Sequence, residues 1–166
     1  MITFDMERIT NEHRKELEDF FSAYWGDDRM VYSHGVYQCS ELEGFIAHDG
    51  ESIVGAVTFY DHKEENVREV ISLDSLIERN GVGGNLMELV ENDAITRGLE
   101  ELCLVTTNDN IHALGFYQKR GYKLVEIRQD AVEKCRKIKP QIPLTGTNDI
   151  EIRDEWVMKK PVQTQS

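Results

Sequence analysis

The chain has 166 residues, with 19 Lys plus Arg against 31 Asp plus Glu, a formal net charge of −12. That length suits one domain of roughly 100–200 residues, here spanning 1–166, and a 40% hydrophobic fraction with three prolines supplies enough apolar surface for a core. The carboxylate excess argues against nucleic acid and against an anionic membrane, which it would repel, and favours a cationic partner.

No apolar run approaches the ~20 residues of a membrane span, and the acidic start, MITFDMERIT, does not read as a signal peptide. Cys39, Cys103 and Cys135 are odd in number and far apart, which points to a reducing, cytoplasmic setting and to thiols without a role. Cys103 falls inside an apolar run and is expected in the core. No CxxC or HExxH occurs, so no metal site is expected.

Residues 2–8 suit an opening strand. From Asn11 to Trp25, Leu17, Phe20, Phe21 and Tyr24 recur at helical spacing, and Gly26 suits the stop. Residues 27–43 are weakly patterned, with a short helix suggested near Met30. GFIAHDGESIVGAVTFY then reads as a hairpin through Asp49-Gly50, and VREVISLDSL as a third strand. Gly81-Val82-Gly83-Gly84 opens a helix whose stripe is Val82, Leu86, Leu89, Val90 and Ala94, with Gly98 at its end. ELCLVTT is a strand, Asp109 or Asn110 caps a short helix, and YKLVEI is another strand. A helix over 131–138, an irregular loop and a last strand over 150–159 complete the order. Such an order predicts an α/β (α+β) domain with a mixed, mostly antiparallel sheet of six to seven strands flanked by helices.

The glycine loop is the first chemical signal. Glycines admit an anion close to the backbone, and the first amides of a helix have no intrahelical acceptors. Asn85 and Leu86 after Gly84 exclude a Walker A loop, and Leu86 excludes the dinucleotide fingerprint.

The ordered pair GVGG and Asn110-x-x-Ala113-x-x-Phe116-Tyr117-x-x-x-Gly121-Tyr122 resembles the GNAT superfamily of acyl-CoA-dependent N-acetyltransferases. RKIKPQIPLTG and IEIRDE resemble a prokaryotic branch of it without an assigned substrate. The resemblance implies a strand splayed from its neighbour at an acetyl-CoA site. The family's pyrophosphate loop would fall on Glu78, Arg79, Asn80, Gly81, Val82 and Gly83, with Gly84 following. Glu78 stands where a Gln or Arg is usual; it is expected to point away, leaving Arg79 to supply charge. Leu73 to Leu76 match the splayed strand, whose backbone would meet the pantetheine, chiefly through Ser75 and Leu76. Asn110 matches the residue beside the pantetheine arm, and Tyr117 the one beside the thiol.

Acetyl transfer to an amine needs a neutral nucleophile, donors for the oxyanion and a proton for the thiolate. Tyr117 is the candidate acid. Glu69 is the candidate base, its spacing resembling that of a catalytic glutamate in some family members. Asp74 is the alternative, on the opposite side of an ideal strand unless a bulge intervenes. Asp154, on the stripe Ile150, Ile152, Trp156 and Met158, could reach a cationic acceptor or form an edge salt bridge. His34 and Tyr37 could line the acceptor side, although a plain loop is the simpler reading. The resemblance thus implies acetyl-CoA as cosubstrate, a small-molecule or peptide amine as acceptor, and direct attack in a ternary complex. A catalytically silent acyl-CoA sensor is the alternative, and edge strands could pair in a homodimer.

Overall fold

The computed structural model describes residues 4–76 and 81–163. Strand β1 (Asp5–Arg8) passes through a single 3-10 turn into helix α1 (Arg14–Trp25). Strands β2 (Arg29–Tyr32), β3 (Gly35–Gln38), β4 (Glu43–His48), β5 (Ile53–His62) and β6 (Val67–Ser75) follow. The second half holds α2 (Val82–Thr96), β7 (Glu101–Thr107), α3 (Ile111–Lys119), β8 (Lys123–Arg128), α4 (Ala131–Ile138) and β9 (Glu155–Pro161). Seven strands form one sheet in the order β1-β4-β5-β6-β7-β9-β8, and β2-β3 make a separate hairpin. Every pairing is antiparallel except β6 with β7.

Helices cover both faces. On one, Leu17, Phe20 and Phe21 of α1 pack with Ile46, Ala56 and Ile71. On the other, Val82, Leu86, Met87, Val90 and Ala94 of α2 pack with Val57, Phe59 and Val70. Met87 is buried where Leu89 was expected, and Tyr24 remains 46% exposed. Gly26 ends α1 at φ 84°, in the left-handed region that favours glycine. At Gly55 a Cβ would lie 2.9 Å from Val82 Cγ1, so glycine here lets α2 seat tightly on β5.

Residues 29–38 form two strands, correcting the helix suggested near Met30. The last strand begins at Glu155 rather than 150. Its delay has a local cause: Asn108 Oδ1 accepts the amides of Arg153 at 3.1 Å and Asp154 at 3.0 Å, occupying donors that a strand would use. Cys103 is half-buried, so the core expectation for it does not hold, whereas Cys39 and Cys135 are buried. No helix among the described residues is long and apolar enough to cross a membrane.

Two features of β6 position the site. Thr58 faces Ser72 while Phe59 faces Val70, so Ile71 is an extra, bulged residue. It shifts parity, and Glu69, Ser72 and Asp74, opposite Tyr60, Thr58 and Ala56, all share one face. The opposite-side expectation for Glu69 and Asp74 is thereby corrected. The second feature is the end of pairing: β6 and β7 are bonded from Val67/Glu101 to Val70/Leu104, and beyond that they separate.

Candidate active site

The gap between β6 and β7 is closed by α2, α3 and the β2–β3 hairpin. Gly81 precedes α2 at φ 73° with no side-chain cap, and Asn85 makes the first helical bond, to the Gly81 carbonyl at 2.9 Å. The amides of Val82, Gly83 and Gly84 therefore have no intrahelical acceptor, and the positive end of the helix dipole lies among them. They border a cavity of about 620 Å³ that also reaches Ser75, Phe116 and Tyr117. Glu78, Arg79 and Asn80 lie outside the described residues.

The sheet edge supplies further donors. Leu76 N–H is bonded to Val54 O at 2.8 Å. Alternation then turns the amides of Leu73 and Ser75 into the gap. Leu76 was expected to offer its backbone there, but its amide is engaged within the sheet and its side chain is 47% exposed. The Leu73 side chain packs on the α2 side.

Asn110 caps α3, its Oδ1 accepting the Ala113 amide at 3.2 Å. This fixes the first turn of α3 against the gap and commits that oxygen to the helix. Two turns on, Tyr117 is buried, edge-on to Phe116 and Tyr122. Burial pushes its phenol well above the usual range, so it stays protonated. Glu91 ties α3 to α2 by accepting from Arg120 at 2.7 Å and Tyr122 at 3.0 Å.

A second cavity of about 280 Å³ opens on the other side, walled by Trp25, Met30, Tyr32 and Val105. The two cavities share Leu73, Asp74, Asn110, Ala113 and Tyr117, so they meet at those side chains. Asp74 Oδ2 is buried there without a hydrogen-bond partner among the described residues, and the Trp25 side chain lines the same cavity. Burial pushes this carboxyl up to about 7, the Trp25 side chain only partly opposing it.

Glu69 does not line either cavity. It is buried under the hairpin, accepting from His34 Nε2 at 2.8 Å, His62 Nε2 at 3.0 Å and Tyr37 OH at 3.4 Å. Burial raises its pKa, but the bonds from the two histidines outweigh this and hold it below the usual value. Arg128 Nη1, which can only donate, lies 3.1 Å from His34 Nδ1; this places the His34 proton on Nε2, toward Glu69. His34 stacks on Tyr32, which walls the smaller cavity. Glu69, the candidate base, is thus bonded to the hairpin and not open to either cavity, and His34 and Tyr37 are structured by it rather than lying in a plain loop.

Asp154 does not enter the site. Its Oδ1 accepts the Asp130 amide at 2.8 Å and its Oδ2 pairs with Arg153 at 3.1 Å, the edge salt bridge of the two roles considered.

A helix-capped glycine loop, a sheet opened beside it and a tyrosine where two cavities join are the setting for comparison. The profile of the Acetyltransferase (GNAT) family matches residues 7–122. The chain belongs to that family.

Among its relatives, "Uncharacterized protein YxbD" of Bacillus subtilis (strain 168) is 48% identical over 145 residues, 87% of this chain and 90% of that one. Among solved structures, the "IAA acetyltransferase from Bacillus cereus ATCC 14579" superposes with a TM-score of 0.69 at 19% identity, covering 96% of this chain and 99% of that one. A GNAT family acetyltransferase from Elizabethkingia anophelis with acetyl-CoA bound gives 0.68 at 18% identity, covering 95% and 97%. At such identities the likeness is one of fold. It is the fold of an acyl-CoA-dependent acetyltransferase, with the mixed, mostly antiparallel seven-stranded sheet expected from the order of elements.

Sequence reading missed the wall of the smaller cavity. Trp25 read only as the last residue of a helix, and Met30 and Tyr32 sat in a weakly patterned segment. The shared environment of Asp74 and Tyr117 had no local signal, because the bulge at Ile71 arises only from pairing with β5.

Proposed function

We propose that this GNAT acetyltransferase moves an acetyl group from acetyl-CoA to a primary amine by direct attack within a ternary complex. The observation that carries the reading is the meeting of two cavities at one point: the larger bordered by the bare amides of α2, the smaller by aromatic side chains. Phosphates suit the first, because Val82, Gly83 and Gly84 offer donors at a helix N-terminus. The Leu73 amide, aimed into the gap, suits the thioester carbonyl and the oxyanion that follows. An amine entering past Trp25 and Tyr32 would reach the same point from the other side. Among the described residues no cysteine lines either cavity, which supports attack by the amine itself over an acyl-enzyme.

In this reading Tyr117 stands beside the leaving sulfur. A phenol held protonated by burial can donate to the thiolate as it departs. Glu69 acts on the acceptor side, through His34 and Tyr37, by holding the hairpin that walls the smaller cavity. The −12 net charge supports a cationic acceptor.

The test is release of free thiol from acetyl-CoA with polyamines, aminoglycosides, amino acids and lysine peptides, alongside calorimetric binding of acetyl-CoA. Turnover on one class supports the reading and names the acceptor. Binding without turnover on any amine would favour an acyl-CoA sensor, and absence of binding would contradict the assignment of the glycine loop.

A further inference from the structure

We propose that Asp74, and not Glu69, takes the proton from the attacking amine. The inference rests on the acetyl-transfer reading above and adds to it a residue that the general pattern of the site does not identify.

The argument begins with position. The bulge at Ile71 turns Asp74 onto the α1 face of β6, and the splay of β6 from β7 exposes that face to the joined cavities. Among the described residues lining the two cavities, Asp74 is the sole carboxylate. It touches both, so a group on it can meet an amine arriving from one side and a thioester held on the other. Glu69 lines neither.

The second observation is the state of the two carboxylates. Both oxygens of Glu69 already accept, from His34, His62 and Tyr37. A carboxylate so satisfied has little to gain from a proton. Asp74 Oδ2 is buried and without a partner among the described residues. An orphaned buried oxygen is costly, and it is relieved when a donor such as an ammonium or amine N–H arrives.

Among the described residues, His112 in the first turn of α3 lines the larger cavity together with Asp74. The other titratable groups facing Asp74 are Tyr117 of α3 and the Cys39 thiol, which follows β3. Burial holds both neutral, pushing Cys39 up to about 12. Tyr32 commits its hydroxyl to Ile71 O at 2.6 Å. Burial pushes the Asp74 carboxyl up to about 7, which suits an acceptor of protons near neutral pH.

The step balances. The amine nitrogen bonds to the thioester carbonyl carbon and the C–S bond breaks. The nitrogen loses its proton to Asp74 Oδ2, the departing thiolate takes the Tyr117 proton, and Tyr117 recovers one from Asp74 across the shared cavity. If the acceptor arrives as an ammonium, its additional proton leaves to solvent before attack.

The experiment is the pH dependence of kcat/KM for an amine found in the panel, in wild type, Asp74→Asn and Asp74→Ala. Wild type should show an acidic limb near 7, distinct from that of the amine itself near ~10. Asp74→Asn, which keeps the size and polarity of the side chain, should lose ~10²–10⁴-fold in kcat/KM together with the limb near 7, while binding acetyl-CoA as before. Asp74→Ala should regain activity on addition of formate, a readout that a merely structural role would not move. The proposal is overturned if Asp74→Asn keeps its rate and limb, if the limb instead disappears in Glu69→Gln or His112→Gln, or if the carboxyl carbon of Asp74 titrates near 4 by ¹³C NMR. Wild-type turnover with an undiminished Asp74→Asn overturns Asp74 alone. Absence of amine acetylation in wild type overturns the reaction reading with it.

Discussion

His34 Nε2 lies 2.8 Å from Glu69 Oε2, across 35 residues of sequence. This bond, with the one from Tyr37, secures the β2–β3 hairpin to the sheet beside the acceptor cavity. In Glu69→Gln an amide N–H would confront one of the imidazole donors, and a lost buried bond costs ~1–3 kcal/mol. The KM for the amine should rise by roughly tenfold, with acetyl-CoA affinity unchanged. Steady-state kinetics over both substrates checks this. A loss confined to kcat would instead place Glu69 at the reacting atoms.

Tyr117→Phe removes the hydroxyl and keeps the ring between Phe116 and Tyr122. We expect kcat to fall ~10²-fold or more with acetyl-CoA affinity nearly intact, within the range for general acids. An unchanged kcat would remove Tyr117 from the mechanism.

Gly83 is a more pointed probe. A Cβ there would come no nearer than 3.9 Å to Phe116 Cζ, an ordinary contact, so nothing in the protein itself requires glycine. Gly83→Ala should therefore leave stability equal or raise it by ~0.5–1 kcal/mol, as alanine does in a helix. Acetyl-CoA affinity should fall tenfold or more, because the methyl occupies the approach to the amides. Thermal melting and calorimetry on one sample read both effects. Unimpaired binding would move the phosphates elsewhere.

Asp74 links chemistry to stability. Its carboxyl is raised in the folded state from 3.8 to about 7. Stability from the neutral form is full below the unfolded pKa and is lost as pH rises through about 7, where a desolvated anion must be held. Asp74→Asn should thus stabilise the protein at pH 8 by something on the order of 2–4 kcal/mol, and by much less at pH 4. Denaturant unfolding at the two pH values checks it. Equal effects at both would deny the shift.

Arg68 tests the frame. It is 0% exposed, forked onto Asp61 at 2.8 and 3.0 Å, 2.9 Å from Asp93, and stacked 3.7 Å over Phe59. Arg68→Ala leaves Asp61 to Arg97, and Asp93 to Arg97 and Arg8, and should cost about 3–5 kcal/mol. A loss below about 1 kcal/mol by urea unfolding would mean that Arg97 and Arg8 suffice.

What could be read from sequence was local. Gly81 to Gly84 and Asn110 to Tyr117 announce themselves because a helix start and a cap are built from neighbours in the chain. The hairpin at 29–38 gave no such signal: its strands are four residues each, and His34 and Tyr37 are ordered by a carboxylate on β6. The parity argument for Glu69 and Asp74 failed for a related reason, since Ile71 bulges against β5 and no feature of VREVISLDSL alone reports it. Asp154 read as a cleft residue only while 150–154 was read as strand; Asn108, more than 40 residues away, removes that possibility by taking the amides.

The most direct test of the account follows the acetyl carbon itself. Acetyl-CoA labelled with ¹³C at the carbonyl, incubated with the protein and an amine from the active class, should pass its label from thioester to amide, one equivalent of thiol appearing for each amide. Label recovered only as free acetate, or retained in the thioester for every amine although acetyl-CoA binds, would contradict amine acetylation at the junction of Asp74 and Tyr117.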